Sequence, residues 1–268
     1  MKKFFSLLLM GTLSAFVFFA CQKDNSQAPT KVTDDVLSQI SSMGFSTEGV
    51  QAMDGGYLVE GDIFLTPDQL GKQFPGPKLI IAKEEQYRTT NLVTALPRTI
   101  TVSLDSRLQR TAGYSQALQE MVNRYNALNL QLQFQVVSSG ATISFVRGTG
   151  SYLASAGFPT STGNPHNRVN VNSSAIGSGT STTFVNYLAT ILAHELGHCI
   201  GFRHTDYMNR AYSCGGTATN EGASTVGAIL IPGTPSGPDA GSWMLACIGS
   251  GVNRPFNAND RTALDFLY

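Results

Sequence analysis

Residues 182–204 read TTFVNYLATILAHELGHCIGFRH, and this stretch decides the fold. Residues 182–200 run without a proline and are mostly apolar, which predicts the longest helix of the chain. Residues four apart on a helix lie one turn above each other on the same face, so His194 and His198 aim two imidazoles at one point. Glu195 follows the first of them and stands beside that point. Gly201 comes three residues after His198 and suits the left-handed conformation that ends a helix. The chain then turns back and offers His204. The protein has only four histidines in 268 residues, and three of them fall here. Three imidazoles with a fourth position left open suit a catalytic Zn2+ ion, which favours four-coordinate geometry. A bare His-x-x-x-His pair is common on unrelated helices; the pattern extended through Gly201 and His204 is far harder to produce by chance. The fourth histidine, His166, lies in the loop GNPHNRV and is expected at the surface, outside the ligand set.

The segments around this helix predict an α+β domain. RTITVSL (98–104) alternates like a half-buried strand, and LQFQVV (132–137), ATISFVRG (141–148) and RVNVNS (168–173) are further strands. SQALQEMVNRYNAL (115–128) places Leu118, Met121, Val122, Tyr125 and Leu128 at helical spacing. Residues 212–242 are rich in Gly, Thr, Ser and Pro and read as a long loop. In the closing NANDRTALDFLY, Asn259 is a candidate cap for a short helix carrying Ala263, Leu264, Phe266 and Leu267. Towards the N-terminus, Thr33 caps a predicted helix over 34–43. Gly55-Gly56 marks a turn, and YLVEGDIFL (57–65) is extended. Thr66, Pro67 and Asp68 open another short helix. FPGPK (74–78) is a breaker. The boundary between a small N-terminal region (33–90) and the main domain (95–268) is placed within 75–95.

The chain has no formal net charge, and only 13% of its residues are charged. That gives no electrostatic reason to expect a nucleic acid or an anionic surface as partner. Residues 1–20 are a separate element. Lys2 and Lys3 precede an almost wholly apolar run from Phe4 to Ala20, the layout of a signal peptide. The run ends in FFAC and gives way to QKDNSQAPTK, which resembles a bacterial lipoprotein signal; Phe18 departs from the usual Leu or Val. The resemblance implies lipidation at Cys21, a tether over 21–32, and attachment to the membrane of the cell envelope. The expected location is periplasmic or surface-exposed, or secreted after processing. An oxidising compartment allows one disulfide among Cys199, Cys214 and Cys247 and leaves one thiol over. Cys214–Cys247 is the favoured pair, with the sequence leaving the pairing open.

HELGHCIGFRH matches the metzincin signature, and within that group HELGHCIGFRHTD looks like the bacterial HEIGH-type metallopeptidases, with Leu196 in place of Ile. The resemblance implies a metzincin-like catalytic domain: a mixed twisted sheet, an active-site helix and a C-terminal helix. It implies His194, His198 and His204 as Zn2+ ligands, Glu195 as the base that acts on water, and hydrolysis of a protein or peptide substrate. It also implies a methionine turn under the metal. Met208 follows His204 too closely, so Met244 in GSWMLAC is preferred, with Asp260 supporting the turn. The strand before the metal helix, RVNVNS, is then the expected edge along which an extended substrate lies. LVEGDIFL resembles the pro-segment motif of the astacin branch, with Val59 in place of Phe. That resemblance implies Asp62 as a latch on the metal, released by a cut near Arg88; the plain alternative is a Gly-Asp turn between two strands. An exported zinc endopeptidase is the leading reading. The alternatives are an envelope binding lipoprotein of peptidase fold with a non-catalytic zinc, and a zinc hydrolase of a non-peptide bond.

Overall fold

A computed structural model describes residues 31–70, 86–222, 227–235 and 237–268. The signal segment, Cys21 and the breaker at 74–78 lie outside the described residues. No helix among the described residues is long and apolar enough to cross a membrane.

The N-terminal region opens with α1 (Asp34–Ser42), capped by Thr33, whose side chain accepts from the Val36 N–H. Three short strands follow, β1 (Gln51–Met53), β2 (Gly56–Val59) and β3 (Ile63–Leu65), then α2 (Pro67–Leu70). The expected extended segment 57–65 is thus two strands of a hairpin, with Glu60, Gly61 and Asp62 at the turn. Gly61 takes the positive φ of 88° that such a turn needs. β4 (Tyr87–Arg88) leads into β5 (Arg98–Leu104), α3 (Ser106–Gln109), α4 (Tyr114–Asn126), β6 (Leu132–Val136) and β7 (Ile143–Arg147). Next come β8 (Ala154–Ala156), β9 (Arg168–Val171), α5 (Ser173–Ile176) and α6 (Thr182–Ile200). The stretch expected as a long loop holds two short elements, α7 (Ala211–Cys214) and β10 (Ile229–Leu230). The chain closes on α8 (Ala258–Leu267).

One mixed sheet runs in the order β1-β2-β3-β8-β9-β7-β5-β6. β9, β7, β5 and β6 are parallel, and β8 lies antiparallel to β9. The N-terminal hairpin extends the same sheet: β3 pairs in parallel with β8, Ile63 opposite Ala156. This corrects the expectation for RVNVNS. β9 is an inner strand, and the strand beside the hairpin is β8, three residues (Ala-Ser-Ala) too short and too unpatterned to read from the sequence. The α+β expectation otherwise holds, with α4 and α6 packed together over the sheet. The main core joins Ile100, Tyr125, Phe145, Leu192, Trp243 and Leu264. A smaller cluster joins Ile40, Phe45, Val59, Ile63 and Leu65 to Phe158, so the hairpin is seated on the rest of the chain by burial.

α6 carries the functional residues. Ser181 caps it by accepting from the Phe184 N–H, and Gly201 ends it at φ 111°. A Cβ at Gly201 would meet Leu92 Cδ2 at 2.7 Å, so both the turn and its neighbours require glycine. Every residue from Tyr187 to Ile200 is buried. α8 starts two residues earlier than expected. Its cap is Asn257, in a capping box with Asp260, while Asn259 donates to Asp239 Oδ2 at 2.9 Å. Arg88 is not in an exposed linker. β4 pairs with β10, Arg88 bridges to Phe202, and Thr89 N–H donates to the Gly201 carbonyl at 2.8 Å. A cut there would also detach Gln86, whose Nε2 donates to Asp260 Oδ1 at 2.7 Å. Cys214 and Cys247 form the disulfide, and Cys199 is free and buried.

Candidate metal centre

The last turns of α6 and the chain that doubles back from Gly201 bring His194, His198 and His204 together. Each ring is oriented from behind through Nδ1. His194 Nδ1 lies 2.9 Å from the Trp243 carbonyl, and His198 Nδ1 lies 2.9 Å from the Phe202 carbonyl. A carbonyl only accepts, so both rings carry their proton on Nδ1 and present Nε2 as a bare lone pair. Those two Nε2 atoms stand 3.1 Å apart. Two lone pairs cannot hydrogen-bond to each other, so the arrangement calls for a cation between them. His204 Nδ1 donates to Glu221, with Oε1 at 2.8 Å and Oε2 at 3.0 Å, and its Nε2 faces the same centre.

A fourth donor comes from the hairpin turn. Asp62 Oδ2 lies 3.0 Å from His204 Nε2 and 3.6 Å from His194 Nε2. One atom from each of Asp62, His194, His198 and His204 falls within 4.8 Å of the others, a set that can hold a metal ion. Two buried oxygens at the site, Asp62 Oδ1 and Glu195 Oε2, have no hydrogen-bond partner among the described residues. Buried carboxylate oxygens are costly to leave unpaired, and a cation offsets that cost. The residues therefore fit the metal that the motif implies.

The local electrostatics are those of a dry, charged cluster. Burial holds His198 well below the ordinary histidine range, with His194 and His204 adding to the effect. Burial also opposes charge on His204, but the Asp62 and Glu221 carboxylates outweigh it and hold its pKa well above the usual range. Asp62 is kept well below the carboxylate range despite its burial, because the charge on His204 dominates, with the neighbouring His194 imidazole adding to the effect. Burial pushes Glu195 up, and Asp62 pushes it further. Arg203 is completely buried behind the site. Its guanidinium sits over the rings of Phe45, Phe158 and Tyr207 and lies 3.7 Å from Glu60 and 3.8 Å from Glu221.

Met244 is buried directly beneath the motif. A Cβ on Gly197 would come within 2.5 Å of Met244 Sδ. The turn it sits on is tied to the ligands on both sides: Trp243 supplies the carbonyl for His194, and the Met244 carbonyl accepts from Thr205 N–H at 3.0 Å. Asp260 supports the turn from α8, accepting from the Trp243 N–H at 3.3 Å.

Residues 58–268 match the sequence pattern of the dual-action HEIGH metallo-peptidase family. This chain belongs to that family. The matched residues of this HEIGH metallopeptidase include the clustered imidazoles. Among solved structures, two of myroilysin are similar. One has 17% identity and a TM-score of 0.40, covering 68% of this chain and 96% of that one. The other has 18% identity and a TM-score of 0.41, covering 77% and 98%. A GM1-bound AB5 holotoxin is similar at 16% identity and a TM-score of 0.34, covering 49% of this chain and 66% of that one. The curated proteins contain no match.

The structure brings His194, Glu195, His198, His204, Met244 and Asp62 to one centre and leaves His166 away from it, half-buried. Sequence reasoning missed Glu221. A signal was present, for Glu221 is the only carboxylate between Asp206 and Asp239. A lone acid in a polar loop nevertheless reads as solvated until packing places it against His204.

Proposed function

We propose that this HEIGH metallopeptidase is an exported, zinc-dependent endopeptidase, made with its N-terminal hairpin held over the active site through Asp62. The observation that carries the reading is the pair of bare Nε2 atoms on His194 and His198, joined by His204 and Asp62, with the unpartnered Glu195 oxygen beside them. Three imidazoles and a carboxylate favour zinc over harder cations. Zinc, when bound, supplies Lewis acidity that polarises a peptide carbonyl and makes water acidic near neutral pH.

The chain's own groups do the rest. His194, His198 and His204 would hold the metal, each kept in one tautomer by the acceptor on its Nδ1. Asp62 takes the position that water needs, so the site is closed while the hairpin is docked. β3 covers the β8 edge at the same time, where Ala156 N–H donates to the Asp62 carbonyl at 2.9 Å. When the hairpin leaves, that N–H becomes available to an extended peptide, which would add to the edge as a strand. Glu195 Oε2 then accepts a proton from the attacking water and passes it to the nitrogen of the leaving amine. The burial that raises Glu195 also keeps bulk water from competing. Export and a lipid anchor at Cys21 belong to the same proposal; they rest on the signal-like N-terminus.

One observation favours the binding-lipoprotein alternative: with Asp62 counted, the site has four protein ligands, as structural zinc sites do. Glu195, buried and unpartnered beside it, has no use in that reading. The deciding experiment measures bound zinc and digestion of a mixed peptide library for wild type, Glu195→Gln and Asp62→Ala. The peptidase reading expects zinc in all three, digestion lost with Glu195→Gln by roughly two to four orders of magnitude, and digestion raised with Asp62→Ala. Equal digestion by wild type and Glu195→Gln removes the mechanism. An Asp62→Ala protein no more active than the uncut wild type removes the latch.

A further inference from the structure

A cavity of about 250 Å³ opens beside His194 and Glu195. Ile191, Leu245 and Ile248 give it apolar walls, and two arginines, Arg210 and Arg254, line it. Arg210 is already committed, with Nη1 2.9 Å from Glu221 Oε1. Arg254 is not. Its Nη1 donates to the neutral carbonyl of Cys247 at 2.9 Å, and no carboxylate stands at ion-pair distance from it among the described residues. It is half-buried, and burial works against its charge, which the Asp206 carboxylate, beyond ion-pair distance and outside the cavity lining, offsets only in part. Among the described residues, only two carboxylates line the cavity, Asp62 and Glu195. The first belongs to the hairpin and the second to the chemistry, so neither is a standing counter-charge for Arg254.

The position of Arg254 is set from its backbone. Its N–H donates to Thr190 Oγ1 at 3.0 Å, and Thr190 stands one helical turn before His194 on α6. The arginine is therefore anchored about 5 Å along the helix axis from a metal-binding residue. We infer that Arg254 is a specificity determinant: it receives the carboxylate of an acidic side chain from the peptide residue next to the bond that is cut. The apolar walls take the methylenes, and the planar guanidinium offers a fork that matches a carboxylate. This rests on the peptidase reading above, and binding is the measurement that separates the two.

The test uses the full zinc-loaded chain carrying Glu195→Gln, with and without Asp62→Ala, and calorimetry with blocked hexapeptides Ala-Ala-Ala-Xaa-Ala-Ala in which Xaa is Glu, Gln or Lys. The Glu peptide should bind roughly ten- to a hundredfold more tightly than the Gln peptide, the range for one charge-assisted hydrogen-bonding pair. Arg254→Leu in this background should level the two. Arg254→Glu should reverse the order in favour of the Lys peptide, a gain that misfolding cannot produce. Equal affinities for the Glu and Gln peptides, or no binding of the Glu peptide to the protein that also carries Asp62→Ala, overturn the inference. Cleavage of the same peptides by the chain with Glu195 intact is read separately. Binding that follows Arg254 without any cleavage would sink the peptidase reading and leave the acidic pocket standing.

Discussion

Gly197, inside the His-Glu-x-x-His motif, shows how tightly single residues are constrained here. A Cβ at this position would lie 2.5 Å from Met244 Sδ and 3.2 Å from Trp243 Nε1. The methionine turn can press that closely on α6 only because the helix has no side chain there. Gly197→Ala should cost about 1–3 kcal/mol, the usual penalty for overpacking, and weaken metal binding by displacing the Trp243 carbonyl that orients His194. Urea unfolding and a metal competition titration check both. His166 gives a prediction of a different kind. Burial, with Arg168 adding, brings its pKa down from 6.5 to about 4. A depressed histidine stabilises the fold above its unfolded pKa, and the contribution is lost as pH falls from about 6.5 towards 4. The size is about 2.5 kcal/mol by pH 4.5. Asp260 runs the other way: its burial lifts the carboxyl from 3.8 to about 6, so its contribution is lost as pH rises through that window. Comparing urea midpoints of wild type and His166→Gln at pH 7 and pH 4.5 isolates the histidine. An equal acid loss in both proteins would show that His166 does not carry it.

Among the elements, α6 was the most legible. Its length and its glycine stop are local, and the spacing of its histidines is a property of any α-helix. α4 was nearly as clear, since its apolar set repeats at the helical period. Strands were legible one at a time but not in their order: β9 was found as a strand and misplaced as an edge, because a two-residue alternation says nothing about neighbours. β8 was invisible for want of any pattern. The loop after His204 hid the most. It carries Glu221, whose carboxylate fixes His204 from behind. Glu221→Gln should weaken metal affinity by roughly 10- to 100-fold, as loss of an orienting partner does, while far-ultraviolet circular dichroism stays unchanged. Unchanged affinity would mean that the Glu221 contact orients nothing.

Across the whole molecule, two devices join distant parts of the chain. The Cys214–Cys247 disulfide closes a loop with a sequence separation of 33 that starts after the third imidazole and takes in the methionine turn. Replacing both cysteines by serine should cost about 4 kcal/mol by loop-closure entropy, read as a lower denaturation midpoint that reductant reproduces in the wild type. The second device is the hairpin, seated on Phe158 by the smaller core cluster and paired to β8. The sequence by itself determined the three imidazoles, Glu195 and the glycine that turns the chain, because helical geometry relates residues a few positions apart regardless of what surrounds them. It could name Met244, Asp260 and Asp62 only by resemblance. Tertiary structure alone decided that Asp62 reaches His204 from 142 residues away, that Trp243 and Glu221 orient the ligands, and that β3 lies along β8. Those placements depend on how the intervening chain packs, and burial depends on which surfaces meet, which no local period encodes.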